Sequence, residues 1–222
     1  MLVCRQFDKI AFKLQRSGRM GTYPENRGQE VPSLAAAYVL QKKDWMVTCY
    51  RENAGLFWRG LPKEKILLHW MGDERGNHID ECNVTPLAIA IGSQMLHATG
   101  LAWASKYRKD GAIACTFFGD GATSEGDFHE AANFAANLNI PVVFVCQNNG
   151  WAISSPTKLE CSAPTVAQRG LAYGMDCIQV DGNDLFAMVK VVRDAATNAR
   201  ENNRPTFIEA LTYRLGDHTT AD

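Results

Sequence analysis

The sequence is 222 residues long, with 46% hydrophobic residues, 21% charged residues and a formal net charge of −1, the composition of an ordinary globular domain. A net charge this small gives no electrostatic basis for binding nucleic acid or an anionic membrane, and no apolar run approaches the ~20 residues that span a bilayer. The seven cysteines include no Cys-x-x-Cys pair, so neither a disulfide framework nor a structural zinc site is expected.

The first part of the chain predicts mainly helices. Residues 1–17 are expected to form an amphipathic helix, because Val3, Phe7, Ile10 and Leu14 fall on one helical face. The segments that follow predict a helix over 28–42, a strand over 45–49, a helix over 62–71, a polar loop over 72–83 and a helix over 86–109. The last of these is rich in alanine and glycine, which favours a buried helix that packs closely.

From residue 112 onwards, apolar runs alternate with helical segments. The predicted strands cover 112–118, 142–147, 177–180 and 206–212, and the predicted helices cover 124–139, 165–173 and 184–201. Ser124 and Asp127 have the spacing of a variant capping box at the start of the first of these helices. This alternation predicts an α/β fold with a parallel sheet flanked by helices on both faces. With no internal repeat or low-complexity linker, residues 1–222 are expected to form a single domain.

Polar side chains follow two of the predicted strands. Asp120, between two glycines, comes after the strand over 112–118, and Asn149 comes after the strand over 142–147. Their separation of 29 residues is one helix-plus-strand unit, which would bring them to neighbouring strand ends, where open α/β sheets bind ligands. A carboxylate and an amide oxygen there suit a divalent cation that keeps room for diphosphate oxygens. The alternative is a pair of ordinary turns, whereas the spacing fits neither a P-loop nor a dinucleotide fingerprint.

This part of the chain resembles the thiamine diphosphate motif of the 2-oxo acid dehydrogenase and transketolase families, which consists of Gly-Asp-Gly followed about thirty residues later by Asn-Asn. The flanking segments 119–128, 148–154 and 213–222 make the chain most similar to the α subunits of 2-oxo acid dehydrogenase E1 components, above all those of the pyruvate type. The similarity extends through the whole chain and implies the thiamine diphosphate-binding fold. Relative to that family, the chain is expected to be truncated at both ends.

The resemblance implies a cofactor and a metal ion. Mg²⁺ would be held by Asp120, Asn149 and the backbone carbonyl of Trp151, with the diphosphate and a water completing an octahedron. Tyr50 and Arg51 would reach the cofactor, and the planar guanidinium suits the diphosphate oxygens. Without the resemblance, Arg51 would be read as a surface arginine. Gly119, Gly121 and Ala122, which flank Asp120, would also contact the cofactor.

Three further residues receive roles from the resemblance. Ile91 would be the wedge that bends the cofactor, and its backbone and that of Ile89 would bond the aminopyrimidine; the alternative for this segment is helix packing. His218 would line the mouth of the active site, contact the cofactor and act in catalysis by stabilising the reaction intermediate. A histidine in such a polar tail is otherwise expected to be solvated, although an imidazole suits proton transfer near neutrality.

The function that the resemblance implies is oxidative decarboxylation of pyruvate, with acetyl transfer to a lipoyl group of an acyltransferase core. A related enzyme acting on branched-chain 2-oxo acids or acetoin, and a non-catalytic fragment, are the alternatives. The chain offers no glutamate to activate the aminopyrimidine, so a β subunit is expected to supply it within a heterotetramer of two α and two β subunits. The expected location is the cytoplasm, or the mitochondrial matrix in a eukaryote, since no transit peptide is present in this chain.

Overall fold

A computed structural model describes residues 1–221 and contains a five-stranded parallel sheet together with a small antiparallel hairpin. The strands are β1 (Trp45–Val47), β2 (Ala114–Gly119), β3 (Val142–Asn148), β4 (Trp151–Ala152), β5 (Ser155–Pro156), β6 (Asp176–Asp181) and β7 (Thr206–Leu211). The parallel sheet has the order β1-β2-β3-β7-β6, and β4 pairs with β5. All five predicted strands are therefore confirmed, and they form a single parallel sheet.

The helices are α1 (Leu2–Arg16), α2 (Glu30–Val39), α3 (Asn53–Arg59), α4 (Lys63–Trp70), α5 (Ser93–Arg108), α6 (Gly126–Asn137), α7 (Gln168–Leu171) and α8 (Leu185–Asn202). Short 3-10 turns cover Glu74–Asn77, Asp120–Ser124 and Thr157–Leu159. Within the described part of the chain, no helix is both long and apolar enough to cross a membrane.

The sheet is buried on both faces, as its continuous apolar strands require. Cys115 and Phe117 of β2 point to one side, where they join a core formed with α1 to α4 and α8. Ala114 and Phe118 point to the other side, where they join a core formed with α5 and α6. The predicted arrangement of helices on both faces is confirmed, and the carboxyl ends of the strands remain open at one edge.

The predicted helix over 86–109 begins only at Ser93. Gly92 has a φ of 96°, a left-handed conformation that a right-handed helix cannot contain, so it separates α5 from the segment before it. That segment runs beside the first strand instead: Val84 forms a bridge with Met46, and the Ala88 N–H donates to the Cys49 carbonyl (2.8 Å). Tertiary hydrogen bonds have overridden the helical pattern of residues 86–92.

Other local details differ from the predictions, although the loop predicted over 72–83 is confirmed as a segment without an α-helix or a strand. Helix α3 was not predicted, the helix over 165–173 is limited to α7, and the loop over 72–83 contains a 3-10 turn. The Ser124–Asp127 capping box does not form, because Glu125 is the N-cap of α6 and no side chain caps it. The buried face of α1 is centred on Phe7 and Asp8, so the prediction from apolar spacing was shifted. Asp8 is buried because it accepts hydrogen bonds from the Tyr23 hydroxyl and the Asn26 N–H.

Candidate functional site

A cavity of about 520 Å³ opens at the carboxyl ends of β1, β2 and β3. The pairing of β2 with β3 sets Gly119 opposite Gln147, so that Asp120 and Asn149 emerge from neighbouring strands at the same edge. This is the position at which open α/β sheets bind ligands. The site therefore follows from the register of two adjacent buried strands.

All of the site residues predicted from the sequence line this one cavity. They are Tyr50, Arg51, Ile89, Ile91, Gly119, Asp120, Gly121, Ala122, Asn149, Trp151 and His218. They come from three strand ends, the segment before α5 and the C-terminal loop, so the fold brings together residues that are distant in sequence. Their individual roles toward a ligand stay predictions.

Asp120 is almost fully buried at the start of the 3-10 turn after β2. One carboxylate oxygen, Oδ2, accepts a hydrogen bond from the Thr157 hydroxyl, whereas Oδ1 is buried without a partner. Burial raises the pKa of this carboxyl, against the hydrogen bond from Thr157. Gly121 is required beside it, because a Cβ there would lie 2.5 Å from the Ala152 Cβ. Asp120 thus holds one carboxylate oxygen ready for a ligand.

The asparagine pair after β3 is fixed by specific hydrogen bonds. Asn148 donates from Nδ2 to Glu209 (2.8 Å), and Asn149 donates from Nδ2 to the Gln29 side-chain oxygen (2.8 Å). These bonds orient the amide of Asn149, whose Oδ1 accepts from the Trp151 N–H (3.0 Å). Trp151 itself lies partly exposed at the lip of the cavity.

Tyr50, Arg51 and His218 form a second cluster in the same cavity. Arg51 is buried and donates from Nη1 to the Glu25 carbonyl (2.6 Å) and from Nη2 to both Nδ1 (3.0 Å) and the carbonyl of His218. Because Nδ1 accepts this hydrogen bond from a guanidinium, which can only donate, the imidazole carries its proton on Nε2. The Tyr50 ring meets that of His218 edge-on at 6.4 Å. Burial lowers the pKa of Arg51 and raises that of Tyr50 to about 12.

Ile89 and Ile91 reach the cavity from the non-helical segment that precedes α5. Both side chains are substantially exposed, although neighbouring backbone is anchored by the hydrogen bond between Ala88 and Cys49. This non-helical segment therefore places two large apolar side chains in the cavity wall.

Sequence reasoning missed three acids of the cavity, Glu52, Glu125 and Glu160. Glu52 is fully buried and accepts hydrogen bonds from Gln147 Nε2 (2.7 Å) and the Arg51 N–H (3.0 Å). Burial raises its pKa to about 7, although these hydrogen bonds oppose the shift. Its place next to Arg51 was a signal that sequence reasoning did not use; Glu160 gave none, because it lies on an irregular loop eleven residues beyond Asn149.

The cavity wall presents buried acceptors that have no donor. These are Asp120 Oδ1, Gln94 Oε1, Gln147 Oε1 and Glu160 Oε2. Buried oxygens left without a donor are costly, so a cation or a ligand with donor groups would stabilise them. The described lining residues also include four carboxylates, those of Glu52, Asp120, Glu125 and Glu160, against the single guanidinium of Arg51.

This wall fits a divalent cation bound together with a diphosphate. Within residues 1–221 no three His, Cys, Asp or Glu side chains cluster as a metal site, so a cation here would need oxygens from a ligand as well as from the protein. Asp120 supplies an unpartnered carboxylate oxygen, and Arg51 supplies positive charge on the same cavity. Hard cations such as Mg²⁺ take this kind of oxygen set and share it with phosphate groups.

Comparison with known proteins places the chain among sequences of the same kind. A model of the family described as "Dehydrogenase E1 component" matches residues 1–222. The pyruvate dehydrogenase E1 component subunit alpha of Acholeplasma laidlawii is 46% identical over 219 residues, which cover 98% of this chain and 64% of that protein. The 3-methyl-2-oxobutanoate dehydrogenase subunit alpha of Mycobacterium tuberculosis is 45% identical over 224 residues, which cover 100% of this chain and 61% of that protein. The chain therefore spans about three-fifths of the length of these relatives.

Solved structures show the same fold. Transketolase from Pichia stipitis matches with a TM-score of 0.67 over 94% of this chain and 35% of the transketolase chain, at 16% sequence identity. A sedoheptulose 7-phosphate complex of transketolase from the same organism matches with a TM-score of 0.69 over 98% of this chain and 37% of its own. These likenesses show a shared transketolase-like architecture for the sheet and its helices.

Proposed function

Because this chain belongs to the dehydrogenase E1 component family, we propose that it is the α subunit of a thiamine diphosphate- and Mg²⁺-dependent pyruvate dehydrogenase. The reaction would be oxidative decarboxylation of pyruvate, with the acetyl group passed to a lipoyl group of an acyltransferase core. The observation that carries this proposal is the buried, unpartnered Oδ1 of Asp120 in a cavity lined by all the predicted cofactor residues.

The residues of the cavity would divide the work of binding. Asp120, Asn149 and the Trp151 carbonyl would hold Mg²⁺, and Arg51 would neutralise the diphosphate that the cation also contacts. The excess of carboxylates in the wall supports this division, since a diphosphate alone would be repelled there. Cation and diphosphate would thus bind as a unit.

On the catalytic side, the exposed side chain of Ile91 would hold the cofactor in its bent shape, with the backbone of Ile89 nearby. When bound, thiamine diphosphate supplies the thiazolium carbon that permits cleavage beside the ketone of a 2-oxo acid. His218, kept protonated on Nε2 by the hydrogen bond from Arg51, would donate to negative charge that develops on the substrate.

The partners in this proposal are an E1 β subunit, which would complete the active site, and a lipoyl-bearing acyltransferase. Support comes from the relatives of known function, which are themselves named subunit alpha. Mixing the protein with a β subunit should therefore raise decarboxylation from background, which a dye-reduction assay measures. A chain that never binds the cofactor, even with a β subunit, would instead be a non-catalytic fragment.

A second substrate class has its own support. The Mycobacterium tuberculosis relative is named for 3-methyl-2-oxobutanoate and matches this chain at 45%, against 46% for the pyruvate-type relative. Rates on pyruvate and on 3-methyl-2-oxobutanoate, measured in the same assembled protein, distinguish the two. Faster turnover of the branched acid would replace pyruvate in the proposal and leave the cofactor chemistry unchanged.

Asp120→Asn tests the site itself, since it keeps the shape and removes the charge. We expect Mg²⁺-dependent binding of thiamine diphosphate to weaken by about 100-fold or more, because removing one partner of a buried charged contact costs about 3–5 kcal/mol. Isothermal calorimetry measures this directly. Asp127→Asn, in the first turn of α6 and outside the cavity lining, is the matched control and should stay within twofold of the unsubstituted protein. Equal binding by both variants would refute the assignment.

A further inference from the structure

Glu160 places a second carboxylate beside that of Asp120. It follows the 3-10 turn Thr157–Leu159 and lines the cavity. Its Oε2 is buried without a hydrogen-bond partner and lies over the glycine that follows Asp120, because a Cβ on Gly121 would come within 3.3 Å of it. Two buried carboxylate oxygens, one from each acid, are therefore unsatisfied in the same part of the wall.

The loop that carries Glu160 is fastened to the Asp120 turn at both ends. The Thr157 hydroxyl donates to the Asp120 carboxylate. Arg169 donates from Nη2 to the Glu160 carbonyl (2.5 Å) and from Nη1 to the Thr123 hydroxyl (2.8 Å). The Arg169 guanidinium is thus directed to a backbone oxygen and a hydroxyl, while Glu160 Oε2 faces the cavity without a donor.

Such an arrangement is unfavourable unless something positive lies between the two acids. Two ionised carboxylates in the same part of the wall would repel each other. Two fully buried amide oxygens, Gln94 Oε1 and Gln147 Oε1, also lack donors on this cavity. The same lining contains two unpartnered donors, Gln29 Nε2 and Trp70 Nε1, but Asp120 and Glu160 each contribute an unpartnered carboxylate oxygen, and paired carboxylate oxygens are the chemistry of a cation site.

We propose that Glu160 is a further residue of the cation site, and that its carboxylate strengthens the binding of the Mg²⁺ held by Asp120. This inference rests on the proposed function, because the same ion would bridge the protein and the diphosphate. A second nearby carboxylate attracts a divalent cation and repels the anionic diphosphate, so its removal should be seen as weaker binding of Mg²⁺.

The test is Glu160→Gln, which keeps the size of the side chain and removes its charge. Mg²⁺ is titrated at saturating thiamine diphosphate into the protein purified with any subunit it assembles with, and binding is followed by quenching of tryptophan fluorescence, since Trp151 lines the cavity. We expect half-saturation by Mg²⁺ to need at least fivefold more ion. Glu130→Gln is the matched control, because Glu130 is an exposed carboxylate of α6 outside the cavity lining; it should change half-saturation by less than twofold.

The melting temperature gives a second readout, because the expected effect of Glu160→Gln differs with and without ligands. Without ligands, Glu160→Gln should raise the melting temperature, because it relieves repulsion by Asp120, whereas with Mg²⁺ and the cofactor it should gain less stability than the unsubstituted protein. If the unsubstituted protein shows no Mg²⁺-dependent cofactor binding, the proposed function fails and this inference fails with it. If that protein binds normally but Glu160→Gln matches Glu130→Gln or binds Mg²⁺ more tightly, the inference alone is overturned.

Discussion

Glu52 buries its carboxylate in the cavity wall, with an amide and a backbone N–H as its hydrogen-bond donors. Burial raises its pKa from 4.5 to about 7, so between these values the folded protein holds a proton that the unfolded chain releases. Stability from this group is therefore full below pH 4.5 and is lost as the pH rises through 7. Glu52 therefore contributes less to the free energy of unfolding of the ligand-free protein in neutral and alkaline solution than in mild acid.

Glu52→Gln tests this dependence. The variant should be less stable than the unsubstituted protein at pH 5, because one donor loses its acceptor, and this deficit should shrink or reverse by pH 8. The difference should change by on the order of 2–3 kcal/mol across that range, as expected for a pKa shift of this size. Urea unfolding of both proteins at pH 5, 6, 7 and 8 measures it. Asp8, whose pKa burial raises to about 6, is present in both proteins and cancels; parallel pH profiles would show that Glu52 does not titrate as stated.

At the residue scale, the sequence was informative where function follows a regular element. Asp120 and Asn149 could be predicted to meet because each directly follows a buried strand, and parallel strands end at one edge. Glu160 could not be placed in this way, since its position depends on the hydrogen bonds of Thr157 and Arg169 across an irregular loop. No local pattern encodes contacts of that kind.

At the element scale, the start of α5 shows how tertiary contacts override a local pattern. Residues 86–92 are mostly small or apolar and read as helix, yet they run beside the first strand and carry Ile89 and Ile91 into the cavity. The change of direction occurs at Gly92, whose φ of 96° suits glycine. The position of Ile89 and Ile91 in the cavity wall therefore depends on the left-handed conformation of Gly92.

Gly92→Ala should separate this role from ordinary helix propensity. An alanine at this position would have a strained φ, and its Cβ would lie 3.0 Å from the Asp127 Cβ. We therefore expect a loss of about 1–3 kcal/mol in the free energy of unfolding, together with weaker cofactor binding. Gly100→Ala, inside α5, is the control: Gly100 is exposed, an added Cβ there would meet nothing within 4 Å, and the substitution should stabilise by about 0.5–1 kcal/mol. Denaturant titration compares them, and stabilisation by both substitutions would contradict the strained turn.

At the scale of the whole molecule, the number and direction of the sheet strands could be predicted, because each is a short apolar run between helical segments. Their order could not, since β7 inserts between β3 and β6, and several crossovers satisfy the same alternation. The cavity depends mainly on the part that was predictable: β1, β2 and β3 lie side by side. That is why the predicted site residues converge even though much of the local detail was missed.

At the amino-terminal end of the sheet, directly before β1, lies Asp44, a fully buried acid. It accepts hydrogen bonds from the Ile113 N–H (3.1 Å) and from both terminal nitrogens of Arg200 on α8 (3.0 and 2.7 Å), so it joins parts of the chain far apart in sequence. Arg200→Met should cost about 3–5 kcal/mol, because it leaves a buried carboxylate unpaired. Arg204→Met is the control, since its pair with Asp176 is half-exposed, and it should cost less than about 1 kcal/mol. Urea unfolding at neutral pH measures both losses, and equal losses would show that burial of the Asp44 pair adds nothing.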